Sequence, residues 1–217
     1  FLMTAVPKMT GTSPAGIQEI SISVFLVILQ MVINLEKYFS ESVIVFTLQT
    51  LFLILFVVRR FLVNKQIPFD GFLFIPFSFL QVFLAIGLFF RKAGVSTDIF
   101  YLFAGEAFIL NLIVGLGSRL IPVLSRVPNT FAPDVRLPQS RWVKTLVLAI
   151  LLNLGFWIQS LGFLSFGVGI RLLVLSYVAI VNFKILSPGT TKSFVALGVR
   201  CGVLSMLLSY VLGILNT

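Results

Sequence analysis

Apolar residues in this chain come in runs of about twenty, separated by short polar stretches, and not in the alternating or one-faced patterns of elements that meet water. The runs cover Ile17–Leu35, Val43–Val63, Phe72–Phe90, Ile99–Leu124, Trp142–Leu161, Gly167–Leu186 and Phe194–Leu215. Each is long enough to cross a hydrocarbon core of roughly 30 Å as a helix rising about 1.5 Å per residue. The pattern predicts an all-α, polytopic transmembrane helical bundle of about seven full spans. A shorter run, Phe1 to Val6, reads as an N-terminal half-helix, stopped by Pro7-Lys8-Met9-Thr10-Gly11-Thr12-Ser13-Pro14.

Between Thr145 and Phe183 only Arg171 is charged, yet that stretch is too long for one span. The chain is expected to reverse near Ser160-Leu161-Gly162 and Ser165-Phe166-Gly167 as a tight helical hairpin. Arg126 to Arg141 carries Pro128, Pro133 and Pro138 and reads as an extended, semi-rigid loop, either a connector or a docking segment. With no soluble segment and no internal repeat, residues 1–217 read as a single transmembrane domain. Because Phe1 falls inside an apolar run, that domain reads as incomplete at its N-terminus, and its C-terminal limit stays open.

Composition agrees with lipid as the solvent. Of the 217 residues, 59% are hydrophobic and 11% charged, against roughly 45–50% and about 25% in a soluble domain. The net charge of +9 would suggest nucleic acid in a soluble protein. Here the basic residues stand at the ends of apolar runs, where they face headgroups and set orientation, so the bilayer is the expected partner and nucleic acid is not. Lys8, Arg59, Arg60, Lys65, Arg119, Arg126, Arg136, Arg141, Lys144, Lys184 and Lys192 fall on one side; only Lys37, Arg91 and Lys92 fall on the other. That excess predicts a cytoplasmic first side and a non-cytoplasmic C-terminus.

Candidate chemistry is sparse. Histidine is absent, and the one cysteine, Cys201, lies in an apolar run, where it reads as a small packing residue. Disulfides, thiolate clusters and Ser-His-Asp or Cys-His catalysis are therefore excluded within the chain, and no metal site is expected from its residues. There is no P-loop, dinucleotide fingerprint or HExxH.

Charges inside spans are the default places to look for function. Glu106 lies about seven residues into its span and Arg171 about five into its own, counted from the non-cytoplasmic end, so their depths agree to within roughly 3 Å. The two are expected to pair, either as part of a proton or ion path or as two charges that satisfy one another. Arg200, inside the last span, could meet Glu19 near the start of the first, or extend to the headgroups. Asn34, Gln49, Gln81, Asn111, Asn153, Gln159 and Asn182 are expected to make interhelical hydrogen bonds. Gly198 and Gly202 form a GxxxG, continued by Ser205, Ser209 and Gly213, so one stripe of the last helix can approach a neighbour in the chain, a partner protein or a second copy.

Two stretches carry a resemblance: Phe1-Leu2-Met3-Thr4-Ala5-Val6-Pro7-Lys8-Met9-Thr10-Gly11, and Gly115-Leu116-Gly117-Ser118-Arg119-Leu120-Ile121-Pro122. The first resembles the GFLLTAVPNWTG turn of the NnrS family, polytopic membrane proteins of the bacterial inner membrane that contain haem and copper and are linked to denitrification and nitric-oxide stress. The resemblance implies that a histidine-bearing segment would precede Phe1 and that later histidines would follow, making this chain a fragment or a degenerate relative. With no histidine, no family metal ligand can be carried over. The turn residues and Arg119 correspond as motif positions only, and haem or copper would belong to a complete protein. Beside this family reading stand a non-catalytic subunit packing in a respiratory or transport complex and a small ion-coupled transporter using Glu106.

Overall fold

A computed structural model describes residues 3, 6–7, 12–35, 39–63, 70–91, 97–124, 139–186 and 194–215. The fold over these residues is helical. Six helices are long and apolar enough to cross a membrane, and a shorter apolar helix covers Leu197–Leu212. Helix is what lipid demands of such a sequence, since each backbone N–H and C=O must be satisfied within its own segment. The chain forms two compact units, Phe1–Pro68 and Phe69–Thr217. Of the expected half-helix, Met3 and Val6 are described and helical, and the rest lies outside the described residues. The proline-rich loop between Arg126 and Pro138 also lies outside them.

The first unit is a helical pair, α1 (Ile17–Leu35) and α2 (Phe39–Val63). No residue of α1 is buried, and Phe25, Ile28 and Met31 are exposed, as suits a helix whose solvent is hydrocarbon. Polar groups fix how the pair meets at one end. The Gly16 N–H donates to Glu19 Oε2 at 2.8 Å, capping the start of α1. Arg60 then donates to both Glu19 oxygens at 3.0 and 2.9 Å and reaches the Pro14 carbonyl at 3.3 Å. Its guanidinium lies 3.9 Å from the Phe56 ring centroid.

The second unit holds the other helices. A 3₁₀ turn (Asp70–Leu73) leads into α3 (Phe74–Phe90). Helix α4 spans 97–124, built from α-helical Thr97–Phe100 and Phe108–Leu124 around a π-helical stretch, Tyr101–Ala107. Helix α5 (Gln139–Ser160) turns through Leu161 and Gly162 into α6, which is α-helical over Leu164–Tyr177 and π-helical over Val178–Asn182. Helix α7 covers Phe194–Leu215.

The expected hairpin between α5 and α6 is present, and Gly162 makes its turn with a φ of +96°, a conformation open to glycine. Gly155 and Gly167 let the two arms touch backbone to backbone. A Cβ on Gly167 would lie 2.4 Å from the Gly155 carbonyl oxygen, and one on Gly155 would lie 2.8 Å from that of Gly167. The expected end of α6 at Leu186 moves back to Asn182, because Lys184 takes a left-handed φ of 52° and the Ile185 N–H turns back to the Ala179 carbonyl at 3.2 Å.

The glycines of the Gly115–Pro122 stretch are packing positions. A Cβ on Gly115 would lie 3.1 Å from the Gly71 carbonyl oxygen, and one on Gly117 would lie 3.1 Å from the Phe183 ring. Pro122 sits in the last turn of α4. Arg119 lies on the same helix, but its side chain is outside the described residues.

Candidate functional site

The site is assembled around Arg171, about two turns into α6. Arg171 can occupy this position because Gly155 of α5 has no side chain: a Cβ there would lie 2.7 Å from Arg171 Cγ. The aliphatic stem runs along the glycine contact and the guanidinium is delivered beyond it, where Phe156 and Tyr210 present their rings at 4.3 and 5.2 Å.

Each of the three guanidinium nitrogens donates to an acceptor. Nη1 donates to Glu106 Oε1 at 2.7 Å, Nη2 donates to Gln159 Oε1, and Nε donates to the Gly167 carbonyl at 3.4 Å. Glu106 comes from the π-helical stretch of α4. Tyr210 of α7 donates its hydroxyl to the same oxygen, Oε1, at 2.7 Å. One carboxylate oxygen thus takes both charge-assisted bonds. The side chain of Arg171 is 2% exposed while that of Glu106 is 44% exposed.

Two cavities meet at this carboxylate. The inner one, about 490 Å³, is lined by Glu106, Gln159 and Arg171 together with Met206, Ser209 and Tyr210 and apolar residues of α4 and α6. The outer one, about 600 Å³, reaches the α5–α6 turn and is lined by Asp98, Ile99, Tyr101, Leu102, Ser160 and Gly162. Glu106, Gln159 and Leu164 line both. A π-helical stretch widens the helix by one residue in a turn and re-aims what it carries, and such stretches are frequent at functional sites.

The chain matches no family model, no curated protein and no solved structure.

A second polar layer lies between α3, α4 and α5. Asn153 accepts from Gln81 Nε2 at 2.6 Å and from Asn111 Nδ2 at 3.0 Å, and its own amide donates to Asn111 Oδ1 at 3.1 Å and to the Ala149 carbonyl at 2.7 Å. All three amides are buried. They come from three separate spans, so their hydrogen bonds fix the relative rotation of those helices.

The sequence brings Glu106 and Arg171 together by depth and sign, and the structure places them in contact. It also supplies two members that the intramembrane charges did not point to. Gln159 stood only as one of several amides. Tyr210 was not singled out, although it lies five residues before the end of Phe194–Leu215, a depth matching that of Glu106 and Arg171. Depth counting extended to tyrosine would have found it.

The remaining candidates fall elsewhere. Glu19, weighed as a partner for Arg200, is engaged within its own unit by Arg60, with Arg59 at 3.8 Å. Arg200 is half-buried on α7. Gly198 and Gly202 have nothing within 4 Å of where a Cβ would stand, so among the described residues of this unit neither is the site of a close helix approach. Ser205 and Ser209 are exposed, and Ser209 lines the inner cavity; the surroundings of Gly213 lie outside the described residues. Cys201, expected as a packing residue, is exposed, because it shares the outward face of Gly198 and Gly202 and not the face turned to α6.

The ligand chemistry of the NnrS family does not fit these residues. The sequence has no histidine and a single cysteine, and among the described residues no three His, Cys, Asp or Glu side chains group as metal ligands. Haem or copper ligands have no counterpart here, and no chemical step can be assigned to such a group.

Proposed function

We propose that this protein is a small ion-coupled membrane transporter in which Glu106 is the coupling carboxylate. The observation that carries the reading is the anchoring of Glu106 through one oxygen by Arg171 and Tyr210 while it stands nearly half exposed where two cavities meet. Such a group can exchange a proton or cation with the cavities without leaving its place. Protonation would loosen its hold on Arg171 and on Tyr210, and so on α7, giving ion binding a mechanical consequence. The basic-residue count supports an outer cavity open to the non-cytoplasmic side and a non-cytoplasmic C-terminus, and the resemblance to the NnrS family suggests a bacterial inner membrane as the setting.

The test is electrical. The chain is reconstituted in proteoliposomes on a solid-supported membrane and challenged with rapid jumps of pH and of small inorganic and organic ions. At least one jump is expected to give a current that Glu106→Gln abolishes. Currents no different between the two proteins across the panel would defeat the reading.

A second reading rests on the Gly115–Pro122 and Phe1–Gly11 stretches and makes the chain NnrS-like, with a role in nitric-oxide stress and with haem and copper bound through residues outside this sequence. In its favour, both glycines of the first stretch stand at close contacts, as a fixed motif requires. Protein from native membranes with a mass well above 24.1 kDa and a Soret band would support it. The open, small-residue face of α7 at Gly198 and Gly202 equally suits a membrane-protein partner or a second copy, which would survive purification in mild detergent.

A further inference from the structure

The hydroxyls of Ser209, Ser160 and Tyr210 in the two cavities share a hydrogen-bonding polarity, while Gln159, whose Oε1 accepts from Arg171, keeps its amide N–H₂ as a donor. Ser209 donates its proton to the Met206 carbonyl at 2.7 Å, Ser160 donates to the Trp157 carbonyl at 2.8 Å, and Tyr210 donates to Glu106 at 2.7 Å. A hydroxyl has one proton. With it committed, each of these groups has only lone pairs to offer an occupant. Glu106, when ionised, is acceptor-only, and Asp98 adds an exposed carboxylate to the outer cavity.

The single cation among the described lining residues does not reverse this. Arg171 is 2% exposed, and its Nη1, Nη2 and Nε each already face an acceptor. It neutralises Glu106 from behind and turns almost none of its surface to an occupant. Counting Glu106, Arg171 and Asp98, the joint lining carries one net negative charge. An anion would meet two carboxylates, which the neutral Gln159 amide does not outweigh. A bare proton would need no cavity at all, whereas these open clefts of about 490 and 600 Å³ have room for a small molecule.

We infer that the two cavities bind a small organic cation bearing N–H donors, an alkylammonium, with Glu106 as its counter-charge and the lone pairs of Tyr210, Ser209 and Ser160 as its acceptors. This names the substrate class of the site proposed above and rests on that reading of Glu106. The exposed ring of Tyr101 in the outer cavity offers the π-face that a cation favours on entry. Leu164, which lines both cavities, forms part of the wall the occupant must pass.

The experiment is calorimetric titration of the full chain in nanodiscs with three probes of one shape: benzylammonium, benzyltrimethylammonium and benzoate, each corrected against empty nanodiscs. Benzylammonium is expected to bind, benzyltrimethylammonium several-fold more weakly for want of donors, and benzoate at least about tenfold more weakly. Glu106→Gln should abolish benzylammonium binding. Because that substitution strips a buried arginine of its partner and can unfold the protein, Leu164→Trp serves as the second variant. It narrows both cavities without touching the ion pair and should weaken benzylammonium by about tenfold.

Benzoate binding as tightly as benzylammonium, no binding of benzylammonium at all, or a Leu164→Trp protein that binds unchanged would each overturn the inference. Benzylammonium binding with no current in the proteoliposomes would defeat the transport reading and leave the cation site standing. Currents driven by other ions, with no benzylammonium binding, would do the reverse.

Discussion

Arg171 is sealed while its partner Glu106, 2.7 Å away, remains nearly half exposed. The pair is lopsided, and the two halves should differ in what their loss costs. Removing Glu106 strands a buried guanidinium, whereas removing Arg171 leaves a carboxylate that can reach water or take a proton. Glu106→Leu is therefore expected to destabilise by about 2–3 kcal/mol and Arg171→Met by about half as much. Reversible unfolding in mixed detergent micelles measures both, and a larger loss for Arg171→Met would contradict the asymmetry.

The hairpin of α5 and α6 should be sensitive to single methyl groups. Gly167→Ala would place a Cβ 2.4 Å from the Gly155 carbonyl oxygen, so the helices must part. A cost of about 2 kcal/mol or more is expected. Gly169→Ala and Gly198→Ala, where nothing lies within 4 Å, should stay within about 0.5 kcal/mol of the original protein. Thermal aggregation in detergent separates the two classes.

Asn153 is the hub of the buried amides, serving both Gln81 and Asn111. Asn153→Leu leaves partners unpaired and is expected to cost about 1–2 kcal/mol. Replacing Gln81, Asn111 and Asn153 together by leucine removes the unpaired groups along with the bonds and should restore much of that loss. A triple variant less stable than the single one would show that the amides do more than satisfy one another.

In the first unit, Arg60 and Arg59 stand beside the same carboxylate in different surroundings. Arg60 is 8% exposed with Glu19 at 2.9 Å, and Arg59 is 79% exposed at 3.8 Å. Arg60→Met should cost about 2 kcal/mol, and Arg59→Met less than about 0.5 kcal/mol. Equal effects in a chemical unfolding titration would mean that the exposed pair matters as much as the buried one.

The helices and the pairing of Glu106 with Arg171 were legible because both depend on quantities a sequence displays: run length, and the depth of a charge within a run. What surrounds the pair depends on rotation about helix axes, which run length does not encode. Nothing in the spacing of Gly155, Gly167 and Arg171 announces that one glycine clears the path of the arginine stem. The engagement of Glu19 by Arg60 was hidden for a related reason. Arg60 ends an apolar run and so resembles an ordinary boundary charge, while it is buried and turned inward. The open surroundings of Gly198 and Gly202 show that a GxxxG records what a helix permits and not what it meets.

The π-helical stretch at Tyr101–Ala107 makes the site depend on the length of the chain as well as on its residues. One surplus residue is accommodated there, and each residue in an α-helix turns its successor by about 100°. Excising Ala107, which stands between Glu106 and Asn111, would let the helix close into regular winding and swing those two residues against each other by about that angle. Glu106 and Asn111 could then no longer face Arg171 and Asn153 together. A deletion that removes no functional group would thus dismantle either the ion pair or the amide layer, which makes this short stretch a vernier between them.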